Sequence, residues 1–206
     1  MSGPDDPIPA RVLLIRHGES TWNAAGRWQG HADPPLSTTG MSQARAAAPA
    51  VVDVRVVWCS DLVRARHTAE LCAPAGVVVQ AEPLLRERHV GAWTGLTRDT
   101  IEDRYPGWIV DGRRPDGWEH DDQVAARAWQ ALRRIVDTLE PGVPALVVSH
   151  GGFIRAVEAS LGGRPRPIPN LGGVWLHETA GTFDLGSSVA LVEGARAAAS
   201  TVTSPE

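Results

Sequence analysis

Two imidazoles and two guanidiniums in this chain stand where together they can hold a dianion. Arg16 and His17 follow directly on the aliphatic run Val12-Leu13-Leu14-Ile15, and Gly18 lets the backbone turn away after them. His150 follows a second apolar run, Ala145 to Ser149, and opens the sequence His150-Gly151-Gly152. Arg64 lies one turn into a segment that begins after a third run, Val54 to Trp58. A first helical turn favours acids because of the helix dipole, so an Arg there asks for an anion. Buried runs that end in cationic groups put those groups on the carboxyl edge of a parallel sheet, where open α/β sheets hold their ligands. Arg16, His17, Arg64, His150 and the amides of Gly151 and Gly152 at a helix start make a cradle for a dianion, phosphate first of all. Taken singly, each of these side chains fits a solvated polar group at the end of an element equally well.

The elements that must position them read as alternating strands and helices. After the first strand, Ala24 to Pro35 is an irregular loop. Ser37 caps a helix from Thr38 to about Ala48, closed before Pro49. Ser60-Asp61 signals the cap of a helix from about Leu62 to Cys72, and Gly76 to Gln80 is a third short strand. The loop Pro83 to Gly95 is too rich in charged and aromatic residues to be mere connection. A short helix over Thr97 to Arg104 leads to a lid or side wall carrying Trp108, Arg113, Arg114 and Trp118, whose tryptophans read as packing residues. From Glu119 to about Leu139 the apolar positions 124, 128, 131, 132, 135 and 139 fall at helical spacing, with Arg127, Arg133 and Arg134 off that face. Phe153, Val157 and Leu161 mark a further helix ended by Gly162-Gly163, and runs at 174–178, 182–185 and 189–192 read as an antiparallel edge. The expected fold is α/β, a three-layer sandwich with a mostly parallel central sheet flanked by helices and an antiparallel C-terminal edge. One domain spans residues 1–206, with 1–9 and about 195–206 expected to be disordered.

Composition narrows the partners. A formal charge of -4 argues against nucleic acid or an anionic membrane, so any anion binding must be local. Cys59 and Cys72 lack a C-x-x-C spacing and read as free thiols, and residues 1–10 lack the basic start and apolar run of a secretory signal. A cytoplasmic protein is expected. Seven histidines raise the question of a metal, but no H-x-x-x-H or paired-carboxylate spacing occurs, and neither metal nor cofactor is expected. Cys59 and Arg64 enclose four residues without glycine, too few amides for a cysteine-phosphatase loop. His31, His67, His120 and His177 read as surface or satisfied structural residues. His89 is a candidate substrate contact because it lies two residues after Glu87.

The chain resembles the histidine phosphatase superfamily, also called phosphoglycerate-mutase-like. The likeness rests on Arg16-His17-Gly18-Glu19-Ser20-Thr21-Trp22-Asn23, on Arg27, Gln29-Gly30 and Asp33 through Leu36-Ser37 to Gly40, and on Ser60-x-Leu62-x-Arg64-Ala65-x-x-Thr68-Ala69-Glu70. It continues with Leu85-x-Glu87, Gly91, Trp93 and Gly95, and with Ser149-His150-Gly151-Gly152. The resemblance implies that His17 is a nucleophile forming a phosphohistidine and that Arg16, Arg64 and His150 hold the phosphoryl oxygens. It further implies that Asn23 helps line the pocket and that Glu87 donates the proton. A carboxyl beside a bound phosphate dianion should have a raised pKa, and pairing of Glu87 with Arg86 or Arg88 is the plainer alternative. Arg113 and Arg114 can bind a carboxylate or second phosphate on the organic half, or be merely solvated. The lid departs from the family: a Pro-rich, Lys-bearing insertion is missing, and Gly117-Trp118-Glu119-His120 stands where many relatives carry Gly-Gly-Glu-Ser. The expected function is therefore metal-independent hydrolysis of a small phosphorylated metabolite. A phosphoglycerate-mutase-type transfer and a silent phospho-ligand binder are the alternatives, and oligomeric state is left open.

Overall fold

The computed structural model describes residues 8–192. Apart from residues 8 and 9, which lead as irregular backbone into the first strand, the ends expected to be disordered lie outside the described residues. The strands are β1 (Ala10–Arg16), β2 (Val56–Cys59), β3 (Val79–Ala81), β4 (Ala145–Ser149), β5 (Gly172–Thr179) and β6 (Thr182–Ala190). The helices are α1 (Thr21–Ala24), α2 (Thr38–Ala47), α3 (Val63–Cys72), α4 (Arg98–Arg104), α5 (Asp121–Val136) and α6 (Gly151–Ser160). Their sheet runs β3-β2-β4-β1-β5-β6. β1, β2, β3 and β4 are parallel, whereas β5 pairs antiparallel with β1 and β6 antiparallel with β5. The expected sandwich and its antiparallel edge are both present, with the last two sequence runs fused into one strand.

Continuous aliphatic runs form the central strands because both faces are covered. Along β1 the side chains alternate: Val12 and Leu14 pack with α5 and α6, while Leu13 and Ile15 pack with α2 and α3. Each such buried aliphatic side chain stabilises the fold by roughly 1.5–3 kcal/mol. The parallel register aligns Arg16 with Ser149 and Cys59 with Val148. His17, His150 and the start of α3 therefore emerge side by side at one edge.

Local signals fared unequally. Ser37 caps α2 by accepting the Gly40 amide at 3.0 Å. α2 ends before Pro49 as expected, and the chain tightens there into a 3-10 turn, Ala48–Val51, whose start tolerates proline because no amide is needed there. Ser60-Asp61 does not cap α3 directly. Its N-cap is Leu62, and the first-turn amide of Val63 is taken at 2.7 Å by the carboxylate of Asp33, thirty residues upstream. A third cluster, outside the sandwich, packs Trp93, Ile101 and Ile109 with Trp28, Trp108 and Trp118, so the tryptophans of the side wall are packing residues.

Candidate active site

Each cationic group of the cradle is held by backbone. The turn after β1 is pressed against the start of α2 so closely that a Cβ on Gly40 would stand 2.0 Å from the Glu19 carbonyl oxygen and one on Gly18 2.6 Å from that of Gly40. In that turn His17 Nδ1 lies 2.6 Å from its neighbour's carbonyl, Gly18 O. A carbonyl only accepts, so Nδ1 carries the proton and Nε2 keeps its lone pair. Arg64 Nε donates to that Nε2 at 3.2 Å. The His17 carbonyl accepts from Asn170 Nδ2 at 2.9 Å, and Thr68 Oγ1 accepts the Gly18 amide at 3.0 Å while donating to Arg64 O at 2.7 Å.

Arg64 is fully buried. Its Nη1 donates to Ala32 O at 2.8 Å and its Nη2 to Gly30 O at 3.0 Å, with the Asp33 carboxylate 3.9 Å away. Arg16 Nη1 donates to Ile168 O at 2.8 Å, while its buried Nε has no partner among the described residues. His150 is fully buried, its ring edge-to-face with His17 at 5.1 Å, and neither of its nitrogens has a partner among the described residues. Carbonyl ligands orient these cations without neutralising them. Burial pushes Arg16 and Arg64 down to about 10, with Glu87 opposing, so both stay charged at neutral pH. Burial, then Arg64, holds both histidines well below the ordinary imidazole value, so both are neutral.

Glu87 sits across from them in an unexpected role. Its Oε2 accepts the Gly152 amide at 3.0 Å, and its Oε1 accepts the amides of Phe153 at 3.1 Å and Arg88 at 2.8 Å. Burial alone would raise its pKa, but the Gly152 amide and the guanidiniums of Arg155 and Arg88 outweigh that and hold it below the usual carboxylate value. Without a phosphate present, Glu87 is an ionised cap on α6. Gly152 therefore does not offer its amide to the cradle as expected, whereas Gly151 opens α6 with Arg16 beside it. Neither feared guanidinium pairs with the Glu87 carboxylate: Arg86 is bidentate to Asp61, and Arg88 pairs with Asp121.

The remaining candidates lie at the periphery. Asn23 is tied into a capping box, its Oδ1 accepting the Ser20 amide at 3.2 Å, and is half-buried rather than aimed solely at the cradle. Arg113 is exposed and paired with Asp111 at 2.8 Å. Arg114 instead stacks over Trp118 at 5.1 Å and Trp93 at 5.8 Å, and burial and then Arg88 lower its pKa. His89 is exposed and contacts Gly117 O at 2.8 Å. His31 donates Nε2 to Glu87 O at 2.7 Å, a satisfied structural residue as read. Cys59 ends β2 buried, its thiol pushed up to about 12 by burial.

Arg127 stands off the apolar face of α5, as expected, yet it is not left to solvent. Its Nη1 donates to Leu84 O at 2.7 Å and Arg86 O at 2.6 Å, its Nη2 to Glu87 O at 3.1 Å, and its Nε to Glu119 at 2.6 Å. It staples the Glu87 loop to α5. Asp33 and Asn170 were likewise not singled out for these positions; each acts through a partner distant in sequence, for which no local pattern exists. Among the described residues no three His, Cys, Asp or Glu side chains converge as a metal site would require.

Residues 12–174 match the family model of the histidine phosphatase superfamily, branch 1. The chain is 37% identical over 180 residues to a glucosyl-3-phosphoglycerate phosphatase of Mycobacterium tuberculosis, covering 80% of this chain and 81% of that protein. It is 35% identical over 200 residues to a probable phosphoglycerate mutase of Photorhabdus laumondii, covering 83% and 92%. The structure of a mycobacterial glucosyl-3-phosphoglycerate phosphatase in complex with VO3 superposes with a TM-score of 0.74 at 32% identity, covering 86% of this chain and 97% of that one.

Proposed function

We propose, from the premise that this chain belongs to the histidine phosphatase superfamily (branch 1) and hydrolyses phosphoric monoesters, that its reaction runs through a phosphohistidine on His17 Nε2. The observation that carries this reading is the tautomer of His17: Nδ1 is tied to Gly18 O, which leaves Nε2 as a neutral nucleophile needing no base. A phosphoryl group among Arg16, Arg64 and His150 is positioned for attack by Nε2. The P–N bond forms as the ester P–O bond breaks, and the departing alkoxide takes a proton from Glu87. Glu87 is ionised when the site is empty, so the arriving phosphate dianion must raise its pKa, or the substrate must bring the proton as its monoanion. Water then attacks the phosphohistidine, returning a proton to Glu87 and releasing phosphate. Arg16 and Arg64 supply fixed positive charge for the equatorial oxygens, so the reading needs no metal. The substrate is a small phosphorylated metabolite, and the buried free thiols of Cys59 and Cys72 fit a cytoplasmic protein.

A phosphotransfer reading has the mutase relative in its favour. Incubation with 3-phosphoglycerate, following both 2-phosphoglycerate and free phosphate, separates the two. Phosphate release without isomer is the expected result; isomer without phosphate overturns it.

A further inference from the structure

The tautomer of His17 depends on one acceptor, the Gly18 carbonyl, and glycine is the residue whose own backbone restrains it least. The orientation of that carbonyl must therefore be imposed from outside. Each of the two peptide groups after His17 is pinned by side chains from distant elements. In the first, the His17 carbonyl accepts from Asn170 Nδ2 at 2.9 Å, and the Gly18 amide donates to Thr68 Oγ1 at 3.0 Å. In the second, whose carbonyl is the Gly18 oxygen itself, the Glu19 amide donates to Gln43 Oε1 at 2.9 Å. The polarity of each contact is forced: a carbonyl requires a donor and a backbone N–H an acceptor, so an asparagine nitrogen and a glutamine oxygen face the chain.

Asn170 is 4% exposed and lies between α6 and β5, 153 residues from its acceptor. The next residue, Leu171, is fully buried with φ at 56°, in the left-handed region that a leucine rarely enters. Such a conformation persists only where the surroundings over-determine it. Here Leu171 returns its N–H to Arg16 O at 3.0 Å, and Ile168 O receives Arg16 Nη1 at 2.8 Å. Residues 168–171 thus grip Arg16 and His17 at three points. We propose that Asn170 and Gln43 are positioning residues of the reaction: by fixing two successive peptide planes they keep Gly18 O on His17 Nδ1, which leaves Nε2 bare and held at one angle. This rests on the reading of His17 as the nucleophile. The effect falls on the rate of attack, because a held nucleophile spends more of its time in near-attack geometry, whereas the phosphoryl oxygens are the business of Arg16, Arg64 and His150.

Asn170→Ala is expected to slow phosphoenzyme formation, read by rapid acid quench at saturating nitrophenyl phosphate, by roughly 10–100-fold. The inhibition constant for inorganic phosphate should stay within about threefold of wild type, because the groups that hold the oxygens are unchanged. In nitrogen NMR spectra the His17 ring signals, identified by their absence from His17→Ala, should show a protonated Nδ1 and a bare Nε2 in wild type and a mixture of tautomers in the variant. Gln43→Met, at a half-buried position, should move rate and tautomer the same way by a smaller factor, and it decides the matter should Asn170→Ala fail to fold. Phosphate affinity that falls in step with the rate, or a slower rate with the tautomer unchanged, would make both residues mere scaffold and overturn this inference alone. Wild-type rates in both variants overturn it as well. A wild type that forms no phosphohistidine overturns the nucleophile reading and this inference with it.

Discussion

The cradle and the mouth of the site are both rich in arginine, and they treat it oppositely. In the cradle, Arg16 and Arg64 are held by the carbonyls of Ile168, Ala32 and Gly30. At the mouth, Arg86, Arg88 and Arg113 are held by Asp61, Asp121 and Asp111. A carbonyl fixes a guanidinium in place and leaves its net charge for a ligand, whereas a carboxylate fixes it and cancels the charge. An arginine's role in this molecule is thus read from the partner that holds it. Of these five, Arg16 and Arg64 keep their charge for a phosphate dianion, the carboxylate of Asp33 standing no nearer than 3.9 Å to Arg64.

The largest effect that tests this division is at the group the cradle serves. His17→Ala is expected to lower turnover by on the order of 10⁴-fold or more while the melting temperature stays near wild type, since His150 is not tied into the same tautomer. Acid-quench labelling should show an acid-labile, base-stable phosphate on wild type and none on the variant. Label on serine or cysteine would reject the mechanism.

Next in size is Arg64→Ala, expected to cost roughly 10²–10³-fold in kcat, because its contacts strengthen as charge moves onto the equatorial oxygens. It also leaves the Gly30 and Ala32 carbonyls without a donor, so some loss of stability should accompany it. A change confined to KM would place Arg64 with the mouth, as a residue that only recruits substrate.

Why the cradle was legible in the sequence and the mouth was not has a physical cause. Arg16, His17 and His150 follow aliphatic runs, and parallel strands share one carboxyl edge, so adjacency in sequence became adjacency in space. Arg64 stood out because a cation in a first helical turn opposes the dipole. The rest depends on contacts between distant segments. Asp33 caps α3 across thirty residues, and Arg127, off the apolar stripe by periodicity, turns inward to bind three carbonyls of the Glu87 loop. Periodicity locates apolar faces; it has no term for an arginine whose partners are backbone carbonyls. Nor did spacing show that Glu87 would take the Gly152 amide assigned to the ligand.

The two regions should also differ in what they contribute to stability as pH changes. His17 and His150 are held neutral in the folded protein by burial, whereas in the unfolded chain they protonate near 6.5. Below that value the unfolded state binds more protons, so stability is full above about 6.5 and falls as pH drops towards the folded pKa values. The slope should reach at most about 1.4 kcal/mol per pH unit for each histidine. Urea unfolding between pH 7.5 and 5.5 measures it, and His150→Gln is expected to remove about half of the slope. A flat wild-type profile would mean that the cradle tolerates imidazolium without a ligand.

The smallest expected effect is the sharpest check on the comparison, because it concerns an arginine that sequence reading placed among the substrate contacts. Arg113 is about half exposed, its side-chain relative exposure being 53%, and its Nη2 lies 2.8 Å from Asp111 Oδ2. It also lies over Trp108 at 5.2 Å, on the outer part of the tryptophan cluster. An exposed pair of this kind is worth about 0–1 kcal/mol, and its charge is already balanced, so it has little attraction left for a substrate anion. Arg113→Ala should therefore change kcat/KM for a phosphorylated acid by less than about twofold and leave its salt dependence unaltered. Arg114, which has no carboxylate partner among the described residues and leans on Trp118 towards Arg88, should give the larger loss when truncated. A loss of tenfold or more at Arg113, with Arg114→Ala near wild type, would show that a carboxylate-paired arginine still serves the substrate. The partner would then no longer distinguish working cations from structural ones.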